Sequence, residues 1–214
     1  MTGGGGGIGA TVLLGSLVIV VTHVVSAPSR PPLRSARHGG PDGTVERVYV
    51  LGIDPGLSRC GYGIVHQQAA GVRATAVGVL RTAPTLPTAQ RLAELQSDLR
   101  ALLEEHRPQV VAIERVLFQV NVRTAIPVAQ AAGIAMAEAV TAGCEVVEYS
   151  PNQVKQAVAG VGGASKDQME RMVQTLLGIA QPLRPVDAAD AVALALCHLA
   201  HAPMRGRVAQ AVAR

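Results

Sequence analysis

From residue 47 onward, apolar and polar positions follow strand patterns and helix patterns in turn. Residues 48–54 form an apolar run that stops at Pro55-Gly56, a turn signal, and residues 61–67 and 73–81 give two more strand patterns. The connections between these three strands are short, which predicts antiparallel hairpins. Leucines at helical spacing then predict an amphipathic helix over Thr88–His106: Leu92, Leu95, Leu99, Leu102 and Leu103.

Two further strands flank an alanine-rich helix. Residues 110–114 form a short apolar run that ends at an acid and is typical of a buried strand, and residues 145–149 make another short strand pattern. Between them we expect a helix over residues 124–142, with Pro127 in its first turn. Several small residues in this helix permit close approach to a sheet or to a second copy of the chain: Ala129, Ala132, Gly133, Ala135 and Ala137.

Two serines mark the starts of later helices. Ser150 and Ser165 each open a capping box, with Gln153 and Gln168 at the third helical position. A last helix is predicted over about residues 187–202. Three strands, then helix, strand, helix, strand and helices predict an α/β fold, a mixed five-stranded sheet flanked by helices.

The two ends of the chain differ from this region. Residues 1–46 hold a glycine run, an apolar stretch of about the minimum length for a membrane span, and a segment rich in Pro, Ser, Arg and Gly. A secretory signal, a membrane anchor and translated upstream sequence from a misassigned start are the competing explanations. We favour the last, because no basic residue precedes the apolar stretch and the region from residue 47 looks complete without it. We therefore expect a functional domain over 47–203 and a flexible tail over 204–214.

Charge and composition narrow the function classes only slightly. The net charge of +4 suits a polyanionic partner without requiring one. All but two of the 19 basic residues are arginines, so the two lysines, Lys155 and Lys166, single out one short stretch. Three widely spaced cysteines form no CxxC or Cys/His cluster, which argues against a disulfide framework and a structural zinc site and favours reduced thiols in a cytosolic protein.

Four acidic residues lie in or next to apolar segments, where burial of an ionised carboxylate is energetically unfavourable. Asp54 and Glu114 each end an apolar strand, and Asp187 and Asp190, three residues apart, share one face of an apolar helix. The aspartates also suit a turn or a helix start, whereas a strand-terminal Glu has no obvious structural use. Carboxylates that converge at one sheet edge, without Lys or Arg nearby, repel one another unless a divalent ion neutralises them. Oxygen ligands alone favour Mg²⁺ or Mn²⁺.

These acids belong to four short motifs. In chain order the motifs are Leu51-Gly52-Ile53-Asp54-Pro55-Gly56 with Gly61-Tyr62-Gly63, Ala112-Ile113-Glu114 with Ala129-Gln130-Ala131-Ala132-Gly133, Val154-Lys155-Gln156 with Gly160-Val161-Gly162 and Lys166, and Asp187-Ala188-Ala189-Asp190-Ala191. Together they resemble the motifs of RuvC-type Holliday-junction resolvases, in the family's order and spacing. The resemblance spans about residues 47–201.

The resemblance implies a ribonuclease-H-like fold and a homodimeric endonuclease that resolves Holliday junctions by paired, symmetric nicks in four-way junction DNA. It also implies two-metal-ion phosphodiester hydrolysis, with two Mg²⁺ per active site and Mn²⁺ as a substitute. The family's metal-binding acids correspond here to Asp54, Glu114, Asp187 and Asp190. Lys155 and Lys166 match positions that contact DNA beside the reacting phosphate. Junction-binding and branch-migration motor proteins become expected partners, a membrane partner does not, and the expected location is the cytoplasm.

The segment after Glu114 is a candidate DNA contact. Members of the resembled family insert an aromatic residue of this segment into the junction, and such wedges unstack bases. Here the matching position holds Leu117, with Phe118, the sole Phe, one place later, so that either side chain could be the wedge or both could be core. Asn121 and Arg123 either meet phosphates or are ordinary loop residues.

Three other functions fit parts of the pattern. Residues 54–58 also resemble the first phosphate loop of actin-like ATPases, but those proteins need two such domains and a second glycine-rich loop. A non-cleaving junction-binding protein would not need the intact set of acids. A ribonuclease-H-like nuclease that acts on RNA shares the fold, and the long correspondence over residues 114–133 favours the junction enzyme over it.

Overall fold

A computed structural model of the chain describes residues 48–116 and 122–212, with side chains described for 48–116 and 125–202. Five strands form one sheet: β1 (Tyr49–Asp54), β2 (Arg59–Gln68), β3 (Gly71–Arg81), β4 (Val110–Glu114) and β5 (Glu145–Tyr149). Their order is β3-β2-β1-β4-β5. Pairings β1–β2 and β2–β3 are antiparallel, whereas β1–β4 and β4–β5 are parallel, which confirms the predicted mixed sheet and its opening hairpins.

Five helices are assigned in the described residues: α1 (Thr88–His106), α2 (Val122–Thr141), α3 (Pro151–Ala159), α4 (Lys166–Leu177) and α5 (Val186–Val212). Both predicted capping boxes are present, because the Ser150 and Ser165 side chains accept from the backbone N–H of Gln153 and Gln168 at the third helical positions. No helix in residues 48–116 or 122–212 is long and apolar enough to cross a bilayer.

Side-chain alternation along the strands divides the core into two layers. On one side of the sheet, Leu51 and Ile53 of β1 pack in a cluster with leucines of α1 and alanines of α2. On the other side, Val50 of β1 and Val110 of β4 belong to a cluster with apolar side chains of α3, α4 and α5. The sheet is therefore covered on both faces, with α1 and α2 on one and α5, α3 and α4 on the other.

Two helix boundaries differ from the sequence prediction by more than one residue. Helix α2 begins at Val122 rather than at residue 124 or 125, so that Pro127 is its sixth residue and lies inside the helix instead of in its first turn. The predicted start is wrong because the rest of this helix outweighs the cost of an interior proline, which is about 3 kcal/mol from one lost backbone hydrogen bond and a steric clash with the preceding turn.

The end of α5 is the second difference. The helix reaches Val212, whereas the sequence predicts an end near Ala202 and a flexible tail from residue 204. Pro203 does not stop it, and the residues after Pro203 include good helix formers such as Met204, Arg205 and Ala209. The backbone of residues 204–212 is thus helical, contrary to that expectation.

The three cysteines agree with the sequence analysis. Cys60, Cys144 and Cys197 are free thiols, and each is buried.

Candidate active site

Strand alternation brings Asp54 and Glu114 to the α5 side of the sheet. Successive side chains of a strand point to opposite faces, so Asp54 shares a face with Val50, and Glu114 shares a face with Val110. The parallel pairing of β1 with β4 places Ile53 opposite Ile113, immediately before the two acids. Two carboxylates therefore leave neighbouring strands at the same edge and on the same face.

Helix α5 brings the other two acids against this edge, because glycines let it lie unusually close to the sheet. A Cβ added at Gly52 would stand 1.8 Å from the carbonyl oxygen of Ala191, and one at Gly61 would stand 2.0 Å from that of Asp187. At Gly63 the added atom would be 2.4 Å from the Val192 side chain. The glycines of β1 and β2 thus make room for the helix that carries the acids.

Asp54 shows that the four carboxylates share one region. Burial raises its pKa to about 7, and the negative charges of Asp190, Glu114 and Asp187 contribute to that rise, in that order of size. Such coupling requires proximity, so the structure brings together the four acids named from the sequence.

The pKa values of Glu114 and Asp190 are also raised. Burial, and then the charge of Asp190, raises the pKa of Glu114. The pKa of Asp190 is also raised, chiefly by the protein atoms around its carboxyl group, although the residue itself reaches solvent. The positive charge of Lys166 opposes that rise, and the negative charge of Asp187 adds to it.

Asp187 behaves differently because an arginine contacts it. Burial alone would raise the pKa of Asp187, but hydrogen bonds and the positive charge from Arg59 overcome that effect and lower it. The Arg59 Nε donates to Asp187 Oδ2 at 2.9 Å, and its Nη2 donates to the same oxygen. The cluster thus contains one neutralised carboxylate beside three whose ionised forms are disfavoured.

A cleft opens beside these acids between α3, α4 and α5. It has a volume of about 230 Å³, and four charged residues that the sequence analysis singled out line it: Glu114, Asp190, Lys155 and Lys166. Its walls also include Met169, Val173 and Leu194. We call this space the acidic cleft. The two lysines come from different helices, and the fold brings both to the acids.

The donor set suits a hard divalent cation. All four converging side chains are carboxylates, whose oxygens Mg²⁺ and Mn²⁺ prefer, and three have raised pKa values that a bound cation would lower. Within the described part of the chain, no group of three or more His, Cys, Asp or Glu side chains is gathered as tightly as a metal site requires. The carboxylates lie close enough to raise the pKa of Asp54, but they are not gathered tightly enough to form such a group.

The predicted DNA contacts of the segment after Glu114 lie outside the described part of the structure. Leu117, Phe118 and Asn121 lie outside the described residues, and so does the side chain of Arg123. In the opposite direction, the structure adds Arg59, which the sequence analysis missed when it assumed acids without basic neighbours. Arg59 comes two residues before Gly61, the β2 residue paired with Asp54, and that pairing is known only from the structure.

Comparison with known proteins gives consistent matches. The family model described as crossover junction endodeoxyribonuclease RuvC matches residues 50–198. RuvC of Chloroflexus aggregans is 47% identical over 153 residues, which are 72% of this chain and 93% of that protein. RuvC of Salinispora arenicola is 48% identical over 167 residues, 77% of this chain and 95% of that protein.

Solved structures agree with the sequence matches. A structure described as Thermus thermophilus RuvC in complex with Holliday junction substrate is 37% identical, has a TM-score of 0.69, and covers 73% of this chain and 96% of that one. The mixed sheet flanked by helices is the architecture of these resolvases, which confirms the predicted ribonuclease-H-like fold. With its family motifs, four convergent acids and matching fold, the chain belongs to the RuvC family of crossover junction endodeoxyribonucleases.

Proposed function

We propose that this protein resolves four-way DNA junctions by paired, symmetric nicks, as a Mg²⁺-dependent homodimer. The observation that carries the proposal is the convergence of Asp54, Glu114, Asp187 and Asp190 from two strands and one helix, in a chain of this family. A relative has been solved with a Holliday junction as its substrate, which supports the same substrate for this chain.

The four carboxylates are the proposed ligands of two Mg²⁺ ions, with Mn²⁺ as a substitute. Bound ions of this kind stabilise the attacking and leaving oxygens of phosphodiester hydrolysis. The protein's own contribution is to hold the four acids at one sheet edge, where burial and mutual repulsion raise pKa values and so favour a cation. The acidic cleft beside them has a partly apolar wall, which includes Met169, Val173 and Leu194.

Lys155 and Lys166 are the proposed phosphate contacts and catalytic cations of the site. Both line the acidic cleft, and the charge of Lys166 acts on Asp190. A lysine ammonium is a compact charge that can hold a strand and stabilise the negative charge that develops on a reacting phosphate. The position of both lysines beside Glu114 and Asp190 supports this role, because a lysine on another part of the surface would not reach the reacting phosphate.

The proposed dimer interface is the exposed side of α2. Five exposed residues recur there at helical spacing, and none of them is charged: Ile126, Gln130, Gly133, Ala137 and Val140. We call this row the α2 stripe. Its centre is made of small residues that allow close backbone approach, and its ends are among the exposed large apolar side chains, Ile126 at 50% and Val140 at 64%.

The remaining parts of the proposal rest on the resemblance. Leu117 or Phe118 is the candidate wedge in the junction, and Asn121 and Arg123 are candidate phosphate contacts. Junction-binding and branch-migration motor proteins are the proposed partners, and the cytoplasm is the proposed location. We also propose that residues 1–46 have no part in this activity.

A junction-cleavage assay tests the function. The full-length protein should nick a synthetic four-way junction at symmetric sites with Mg²⁺, and chelation should abolish the reaction. Asp54→Asn and Glu114→Gln should each lower the cleavage rate by about a thousandfold or more, because a metal ligand is lost, while junction binding persists.

The control is Glu104→Gln, an exposed acid of α1 on the other side of the sheet, which should leave cleavage unchanged. Cleavage that survives in either active-site variant would contradict the metal assignment. Hydrolysis of RNA instead of the junction would replace the proposed substrate.

A further inference from the structure

Arg59 makes a contact that the proposed reaction does not require. Its guanidinium donates two hydrogen bonds to one oxygen of Asp187, with Nε at 2.9 Å. The pair joins the first residue of β2 to the first turn of α5, across the hairpin edge where the acids meet. Both side chains are partly solvent-accessible, at 41% for Arg59 and 28% for Asp187.

An accessible ion pair of this kind is weak and exchangeable. Exposed pairs contribute little to stability because water screens the attraction and the side chains lose freedom when they pair. Neither strand β2 nor helix α5 depends on the pair for its place, since the glycine contacts and the α5 core cluster hold them together. A stronger ligand for Asp187 can therefore displace the guanidinium without unfolding the site.

We propose that Arg59 is a positioning residue that competes with the divalent cation for Asp187. The inference rests on the proposed role of Asp187 as a metal ligand. The oxygen that accepts both hydrogen bonds uses lone pairs that a metal ion would need, and the positive charge of Arg59 repels a cation that approaches the cluster. Arg59 thus lowers the affinity of the DNA-free protein for the ion.

Two other cations act on the cluster in a different way. Arg81, which pairs with Arg59 across β2 and β3, influences Asp187 through its charge. Lys166 influences Asp190 through its charge. Arg59 acts on Asp187 through its charge and through direct hydrogen bonds. Removal of Arg59 should therefore change the metal affinity more than removal of Arg81 or Lys166.

The experiment measures Mn²⁺ binding to the metal-free, full-length protein without DNA, by the loss of the electron paramagnetic resonance signal of free Mn²⁺. Arg59→Gln should bind Mn²⁺ about three- to tenfold more tightly than wild type, because a nearby positive charge is lost and Asp187 is released. Arg59→Lys keeps the charge but loses the two-point contact, and its affinity should fall between the two.

Matched variants separate contact from charge. Arg81→Gln removes a charge near Asp187 without the hydrogen bonds and should tighten binding less than Arg59→Gln. Arg73→Gln, an exposed arginine at the opposite end of the same strand pair, should bind like wild type. Thermal melts followed by circular dichroism establish that each variant is folded, and Arg59→Lys tests the competition if Arg59→Gln is not.

The outcomes distinguish this inference from the proposed function. Unchanged or weaker Mn²⁺ binding in Arg59→Gln, with Asp54→Asn still abolishing binding, overturns the competition but leaves the metal site intact. Equal tightening in Arg59→Gln and Arg81→Gln reduces the effect to general charge and also overturns it. Equal Mn²⁺ binding by wild type and Asp54→Asn overturns the metal site itself, and the competition with it.

Discussion

Burial and three neighbouring carboxylates give Asp54 a pKa of about 7 in the folded protein. In the unfolded chain its pKa returns to the ordinary value of 3.8. Between these two values the native state holds a proton that the unfolded state has lost. Because stability falls with pH wherever the native state binds more protons, Asp54 makes the metal-free fold less stable as the pH rises through this window.

We therefore predict that the protein in chelator unfolds more easily at pH 8 than at pH 5.5. The contribution of Asp54 to the free energy of unfolding should fall by about 2–4 kcal/mol across its window, part of it below pH 5.5. Urea titrations at a series of pH values measure the effect. Asp54→Asn should flatten the profile, and a slope that is the same in wild type and Asp54→Asn would contradict the assignment of the charge to this residue.

Saturating Mg²⁺ supplies the second arm of this experiment. A cation binds the ionised carboxylates, so it should stabilise wild type more at pH 8 than at pH 5.5, where protons compete with it. Asp54→Asn should lose most of that gain.

At the residue scale, the acids of the site could be identified from the sequence, whereas the arginine that contacts one of them could not. Asp54 and Glu114 could be identified because a carboxylate at the end of an apolar strand is conspicuous, and in the structure the charges of Glu114, Asp187 and Asp190 all act on Asp54. Arg59 could not, because an arginine near a strand start is ordinary in an arginine-rich chain. Its role depends on how β2 and α5 meet, 128 residues apart in sequence.

At the scale of elements, the site depends on how closely α5 lies against β1 and β2. Gly61 stands opposite the backbone of Asp187, where an added Cβ would be 2.0 Å from the carbonyl oxygen. A backbone atom cannot turn away as a flexible side chain can, so the helix must shift as a whole. The same shift would move the carboxylates of Asp187 and Asp190.

We predict that Gly61→Ala destabilises the protein by about 3 kcal/mol or more, at the upper end of overpacking costs. Its melting temperature should fall by roughly 6–12 °C. Gly163→Ala is the control, because a Cβ there would meet nothing within 4 Å, and its melting temperature should stay close to that of wild type. Equal melting temperatures for the two variants would show that α5 does not need the space at Gly61.

Helix boundaries were predicted correctly where a local sequence signal sets them. Both serine capping boxes and the bounds of α1 are confirmed. The predicted start of α2 and the predicted end of α5 were wrong, because both were set by the position of a proline. A proline removes one backbone hydrogen bond and crowds the preceding turn, and the rest of a helix can outweigh that cost.

On the scale of the whole molecule, the two faces of the sheet have separate roles. The acids and the acidic cleft lie on the α5 face, and the α2 stripe lies on a helix of the opposite face. The number of strands, and the hairpins that join the first three of them, could be predicted from the sequence. The central place of β1 does not, because the order depends on where the crossover helices return the chain. A dimer through the α2 stripe would leave both clefts open to DNA.

Paired nicks on a symmetric junction need two active sites, so the proposed dimer can be tested through α2. Val140→Glu places a charge at the 64%-exposed end of the α2 stripe, where it would be desolvated against a second copy of the chain. The dissociation constant of the dimer should rise by tenfold or more, roughly 1.4 kcal/mol, measured by analytical ultracentrifugation. The same variant should leave single nicks in the junction instead of resolved duplexes. Leu176→Glu, which alters an exposed leucine of α4, should remain dimeric, and dimers that are equally stable in both variants would exclude the α2 stripe as the interface.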